Sequence, residues 1–222
     1  MKTLCYLLLI PFFLTSCEPD TEIEIIEPIE SRTTFFSYDF MVDQYHPDFE
    51  VILLDSLQNY GELIRKMQRL SCNNKRIGIQ FSVGDTLYGL TGFTDCPEVE
   101  IIDCYSRINI FVIKNDSLKN IRELNRKKSM HISELSKVID RIQTEPLRYQ
   151  FRRNALRLTL LNLYIDPKHP ISMTKEVLKE VATAFKEVNT EMGPDFFKYN
   201  ILFEDNYWMY IPPPPPPPAA ME

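Results

Sequence analysis

Ten residues, Leu156 to Ile165, restrict what this chain can fold into more than any other stretch. The run Leu-Arg-Leu-Thr-Leu-Leu-Asn-Leu-Tyr-Ile is almost continuously apolar, whereas a strand with one wet face would alternate. Near-continuous apolarity of this length reads as a strand buried on both faces, and therefore central in its sheet. Asp166-Pro167-Lys168-His169-Pro170 follows as a stiff turn. Thr174 then opens a helix, with Val177, Leu178, Val181, Ala184, Phe185 and Val188 as its buried stripe. Gly193-Pro194 ends that helix, and Lys198 to Phe203 supplies another strand.

The same alternation occurs earlier. Phe49 to Leu54 is rich in apolar and β-branched residues and reads as a strand. Asp55 or Ser56 is expected to cap the next helix, in which Leu57, Tyr60, Leu63, Ile64, Met67 and Leu70 recur at helical spacing. Asn73-Asn74 ends it, Arg76 to Val83 is a strand, and Gly84-Asp85 turns it into a hairpin partner, Thr86 to Phe93. A second round starts with the strand Ile108 to Ile113, closed by Asn115-Asp116. Ser133 begins a helix with Leu135, Val138, Ile139 and Ile142 on one face, and Pro146 stops it. The expected class is α/β (α+β): strand-helix-strand units forming a mixed sheet with helices packed on it. Residues 49–81 echo residues 160–203 in element order, so two similar halves are expected, 35–106 and 107–206.

The chain opens with a different kind of segment. Lys2 gives a short positive start, Leu4 to Leu14 is apolar, and Leu14-Thr15-Ser16-Cys17 follows. The apolar stretch is shorter than the roughly 20 residues that cross a bilayer and suits a signal-peptide core. Leu14 to Cys17 resembles the lipobox of bacterial lipoproteins, which implies cleavage after residue 16 and acylation of Cys17. Residues 17–34 form an acidic tether: Glu18 to Glu30 holds six acids, no base, and Pro19 and Pro28. Such a stretch repels itself and stays extended. An acidic stretch directly after the acylated cysteine also resembles the surface-export signal of Bacteroidetes-type lipoproteins. The expected setting is the bacterial cell envelope, with lipid holding the chain to the inner or outer membrane.

The chain carries 25 Lys+Arg against 31 Asp+Glu, a formal charge of −6. Loss of Lys2 with the leader makes it −7. That balance argues against nucleic-acid binding, which requires a basic stripe. Beyond Cys5 and Cys17, the cysteines are Cys72, Cys96 and Cys104. Outside the cytoplasm a disulfide is allowed. Cys96 and Cys104 flank Pro97 and are the expected pair, leaving Cys72 as a buried thiol. No histidine lies near them in sequence, and their spacing matches no zinc pattern. The segment 207–222 joins four aromatics and aliphatics after Tyr207 to seven prolines, Pro212, Pro213, Pro214, Pro215, Pro216, Pro217 and Pro218. Such a run favours polyproline II, either as a spacer or as a rod for a partner's aromatic groove.

From Ile108 onward the order is strand, helix, strong strand, turn, helix, strand. Leu158 to Ser172, with the helix Lys175 to Val188 and the strand Tyr199 to Phe203, resembles the periplasmic domain of the ExbD/TolR family. Asp166 and the turn to Pro170 occupy the family's matching places. The resemblance implies a small homodimeric domain in an energy-transducing envelope complex. The chain departs from the family in its hydrophobic segment, which is removable and carries no acid.

Motifs for catalysis are not visible. G-x-S-x-G, P-loop and H-E-x-x-H are absent. His46 and His169 each precede a proline, and His131 lies beside a basic cluster, Lys119, Arg122, Arg126, Lys127 and Lys128, which reads as a solvated loop or helix end. Gly84, Gly89 and Gly92 suit hairpin turns better than a phosphate cradle. The expectation is a non-catalytic lipoprotein with no cofactor and no metal, whose domain binds another envelope protein. Two other readings are an ExbD-like accessory and an envelope hydrolase without a recognisable motif.

Overall fold

The structure is a computed structural model; it describes residues 33–96, 109–120, 129–144, 151–152 and 154–207. The strong apolar run contains two strands. Ala155–Leu156 (β9) pairs with Phe151–Arg152 (β8), and Thr159–Tyr164 (β10) enters a five-stranded sheet. β10 is central as expected. It runs parallel to Ile110–Lys114 (β5) on one side and to Tyr199–Phe203 (β11) on the other. Its first five residues are buried, Asn162 among them, whose side chain donates 3.4 Å to the Phe111 carbonyl. Ser117–Asn120 (β6) and Met130–His131 (β7) extend this sheet antiparallel beyond β5.

The second sheet has four strands. Thr33–Phe36 (β1), Phe49–Leu53 (β2), Arg76–Val83 (β3) and Thr86–Gly92 (β4) lie in the order β1-β4-β3-β2. Gly84 forms the β3–β4 turn with φ +55°, where a side chain would be strained. β3 pairs antiparallel with β4 and parallel with β2, while β1 lies parallel on the other edge of β4. Both sheets are therefore mixed, as the sequence suggested. β1 covers only Thr86 to Gly89 of that edge. Beyond it, Phe93 forms a parallel bridge with Leu202 of β11: the Phe93 N–H donates to Ile201 O (2.9 Å), and Phe203 N–H donates to Phe93 O (2.8 Å). One edge of β4 thus serves two strands in succession.

Helices Tyr38–Asp43 (α1), Tyr60–Cys72 (α2), Leu135–Thr144 (α3) and Ile171–Met192 (α4) complete the fold. α2 and α4 are crossovers between parallel neighbours, β2 to β3 and β10 to β11, a connection that needs a helix-length segment. α4 buries all six stripe residues read from the sequence, together with Thr174 and Ala182. α2 buries Tyr60, Leu63, Ile64 and Met67. Its cap is Asn59 in place of Asp55 or Ser56, which lie in a turn of 3-10 helix, Leu54–Ser56. The Asn59 side chain accepts from Glu62 N–H at 3.0 Å, and the Glu62 carboxylate accepts from Gln58 N–H at 2.9 Å. That reciprocal arrangement satisfies donors that a helix start leaves open.

The boundary expected near residue 106 separates two sheets within one unit. The described residues form a single unit, and one buried cluster contains Ile79 and Leu90 of the first sheet together with Leu161 and Ile201 of the second. Tyr60 fastens them: its buried hydroxyl lies 2.6 Å from Leu163 O and 3.0 Å from Glu204 O.

Cys96 pairs with Cys72 and not with Cys104. Cys72 ends α2, Cys96 follows β4, and their Cα atoms are 5.0 Å apart. The Ser71 hydroxyl donates 2.8 Å to Thr94 O beside them, holding the two segments together. Sequence spacing favoured the short loop, but packing of α2 beside the β3–β4 hairpin brings the distant cysteine close. Cys104 lies outside the described residues.

Candidate functional site: an aromatic groove

Two aromatic-rich segments far apart in sequence form a groove of about 330 Å³. β1 and the start of α1 provide Phe35, Phe36 and Tyr38; α4 provides Phe185; the α4–β11 connection and β11 provide Phe197 and Tyr199. Each wall is fixed from below. Ser37 caps α1 by accepting from Phe40 N–H at 3.3 Å, and its own N–H donates 2.8 Å to Gly89 O. Gly89 admits this wall because a Cβ there would lie 2.6 Å from the Phe36 ring and 2.9 Å from Phe40. It is a packing glycine within β4 and not a turn residue. On the other wall, the Asn189 side chain accepts from Phe197 N–H (2.8 Å) and donates to Phe197 O (3.1 Å). Gly193, with φ +120°, ends α4 and starts the connection.

Phe185 stacks on Tyr199 at 4.2 Å between centroids and meets Phe197 at 5.3 Å. Cations lie over the half-buried aromatics of the first wall. Lys198 Nζ is 4.2 Å from the Tyr38 ring centre and Lys186 Nζ is 5.3 Å from that of Phe35, within cation–π range. Asp39 sits 3.9 Å from Lys198. Burial raises the Asp39 pKa, Lys198 opposes that rise, and Asp43 adds to it.

The Tyr199 hydroxyl is fully buried and has no hydrogen-bond partner. Burial and then the charge of Asp39 push its pKa far up, so it remains a neutral donor. Buried hydroxyls nearly always find a partner, and an exception demands an explanation. The groove therefore combines apolar rings with the ammonium donors of Lys186 and Lys198, while the Tyr199 hydroxyl lies beneath its accessible surface.

The histidines are placed apart. His46 Nδ1 accepts from Asp48 N–H at 3.1 Å in a turn, and His131 lies beside Ser133 and Asp116 on the other sheet. The His169 N–H donates to Asp166 O in the turn before α4. Among the described residues no group of three or more His, Cys, Asp or Glu is arranged to hold a metal. Cys17, Pro212 to Pro218 and Arg122 to Lys128 lie outside the described residues. Sequence reading missed the groove altogether. Its only signal was the pair of aromatic clusters, Phe35-Phe36 with Tyr38, and Phe196-Phe197 with Tyr199, each overlooked beside stronger elements.

No protein-family model, no curated protein and no solved structure matches the chain.

Proposed function

We propose that the protein is a lipid-anchored component of the bacterial cell envelope whose α+β domain is a binding part, and that the aromatic groove is its binding surface. The observation that carries the binding role is the aromatic groove itself, with the Lys186 and Lys198 ammonium groups over the rings of Phe35 and Tyr38. Pockets of about 300–1,000 Å³ with apolar walls and a few polar groups are where proteins receive ligands. The anchor rests on Leu14 to Cys17. The Cys72–Cys96 bond supports an exported setting, because disulfides persist in oxidising compartments. No helix among the described residues is long and apolar enough to cross a membrane.

Two measurements test this reading. Cys17→Ala is expected to abolish acyl labelling and release the protein from membranes; retention of the variant on membranes would defeat the anchor. A photo-crosslinker at Thr190, in the groove, is expected to give adducts with an envelope protein, while one at exposed Lys137 on α3 gives none. Equal adducts from both positions would remove the groove from the proposal.

A second reading, an accessory of an energy-transducing complex, has one specific observation in its favour. The second sheet and its helices follow the order β5-β6-β7, α3, β10, α4, β11, with the short β8–β9 hairpin between α3 and β10, and β10 lies parallel between β5 and β11. Asp166 organises the turn after β10, accepting from Lys168 N–H on its side chain and from His169 N–H on its carbonyl. Recovery of the intact protein with an integral-membrane proton channel is the expected result for that reading, and its absence would count against it.

A further inference from the structure

The first sheet ends on a strand whose outer edge is open, and the groups on that edge complement a second copy of themselves. β2 is the outermost strand of its sheet and pairs on one side alone, parallel to β3. A parallel ladder turns alternate residues of a strand towards its neighbour. The Arg76 N–H donates to Asp48 O (2.9 Å), and this fixes the phase. Asp48, Glu50 and Ile52 bond to β3, while Phe49, Val51 and Leu53 turn their backbone groups outward. The ends of that outward row are satisfied within the chain: Phe49 N–H donates to His46 O (3.0 Å), and the Ser56 hydroxyl donates to Leu53 O (2.7 Å). Four outward groups have no partner among the described residues, namely Phe49 O, Val51 N–H, Val51 O and Leu53 N–H.

We propose that this edge pairs antiparallel with the same edge of a second copy, about a two-fold axis at Val51. In that register each Val51 faces its counterpart, and the two exchange both of their backbone hydrogen bonds. Each Leu53 N–H meets Phe49 O of the other copy. Every open group is used, and no group already bonded within the chain is needed. Neighbouring registers fail this test. One centred on Glu50 calls on Phe49 N–H, and one centred on Ile52 calls on Leu53 O; both are taken.

The side chains agree with the backbone. Phe49 to Leu53 contains no Lys, Pro or Gly, residues that keep sheet edges from pairing. Its one charge, Glu50, has Lys75 at 3.7 Å and lies opposite Ile52 in this register, so like charges are not set face to face. Val51 and Leu53 are 42% and 50% exposed. With Met41, Val42 and Tyr45 they make five of the six exposed large apolar side chains among the described residues. Apolar surface gathered on one part of a molecule marks contact with another protein.

This edge lies outside the stretch that resembles the ExbD/TolR domain. Two four-stranded sheets joined here become one, β1-β4-β3-β2 followed by the same strands in reverse order. The grooves, each walled by β1, then lie at the two outer edges, and on the binding role proposed above the pair is bivalent. The pairing itself stands whether or not the groove receives a ligand.

Sedimentation equilibrium of the chain beginning at Glu18 tests the pairing. That chain keeps every described residue, leaves out the leader and the lipid site, and carries Cys104→Ser so that no intermolecular disulfide contributes. A reversible monomer–dimer equilibrium is expected. Val51→Lys and Val51→Glu each set like charges across the axis and should weaken association roughly tenfold or more. Their melting temperatures should stay close to the parent's, because the side chain is at the surface. An equimolar mixture of the two should recover the dimer, since Lys then faces Glu. Val51→Pro removes an N–H that no bond within the chain uses, and should dissociate the dimer while the protein stays folded. A parent that is monomeric at every concentration overturns the proposal. Undiminished association of Val51→Lys or Val51→Pro would assign the dimer to another surface and overturn it too. A mixture no more associated than its two components would remove the register at Val51, and the proposal with it.

Discussion

A hydroxyl buried without an acceptor loses its water and gains nothing in exchange. Tyr199→Phe removes that group and keeps the ring stacked on Phe185, so the unliganded protein should become more stable by about 1 kcal/mol, read as a higher urea midpoint. A less stable variant would mean that the hydroxyl has a partner after all. Glu204 has the opposite problem. Burial, reinforced by the charges of Asp95 and Asp205, raises its pKa from 4.5 to about 7. A carboxyl whose folded pKa exceeds its unfolded one favours folding when protonated. That contribution is complete below about pH 4.5, declines as pH rises, and is gone above about pH 7. Glu204→Gln cannot ionise. Its melting temperature should exceed the native one by a few degrees at pH 8, with the gain vanishing at pH 4. A gain of equal size at both values would refute the assignment to this carboxyl.

At the scale of elements, the Cys72–Cys96 bond closes a loop between α2 and the end of β4. For a loop of 24 residues the constraint on the unfolded chain is worth about 3 kcal/mol. Replacing both cysteines by serine should cost about that much in denaturant unfolding, and mapping without reductant should give a linked Cys72–Cys96 peptide; a Cys96–Cys104 peptide would contradict the structure. The disulfide also marks what sequence could reveal. Elements governed by local periodicity were legible: β3 begins and ends at the expected residues, and the α4 stripe is buried at all six positions. Asn74 and Asn115, with φ 56° and 55°, mark turns that their composition announced. Contacts made across the fold were not legible. The partner of Cys96 depends on how α2 lies beside a hairpin, and the groove depends on β1 and β11 sharing one edge of β4. β1 and α1 were missed because four and six residues carry too little periodicity to separate from a tether.

For the molecule as a whole, specific polar joints tie the two sheets together, the backbone bonds of Phe93 to β11 among them. Tyr60 reaches from α2 to two carbonyls of the second sheet, and Thr94 Oγ1 donates 2.7 Å to Phe203 O. Tyr60→Phe should cost about 1–2 kcal/mol, since it removes a buried donor and leaves the Glu204 carbonyl underused. Amide exchange at Phe203 and Glu204 should quicken more than at Ile79, in the first sheet. Uniform quickening would show that the two sheets open together.

β1 has a further consequence, because it is both the first strand of the fold and a wall of the groove. Residue 32 is covalently joined to Thr33, so any tension in the segment ahead of the fold is delivered to a four-residue strand whose ladder hydrogen bonds run to β4 alone. Phe35 and Phe36 belong to that strand, and Tyr38 follows it at the start of α1. On the proposed anchoring and binding roles, drag on the segment ahead of Thr33 and occupancy of the groove would load the same hydrogen bonds, so that a taut chain would loosen the grip and a filled groove would stiffen the attachment.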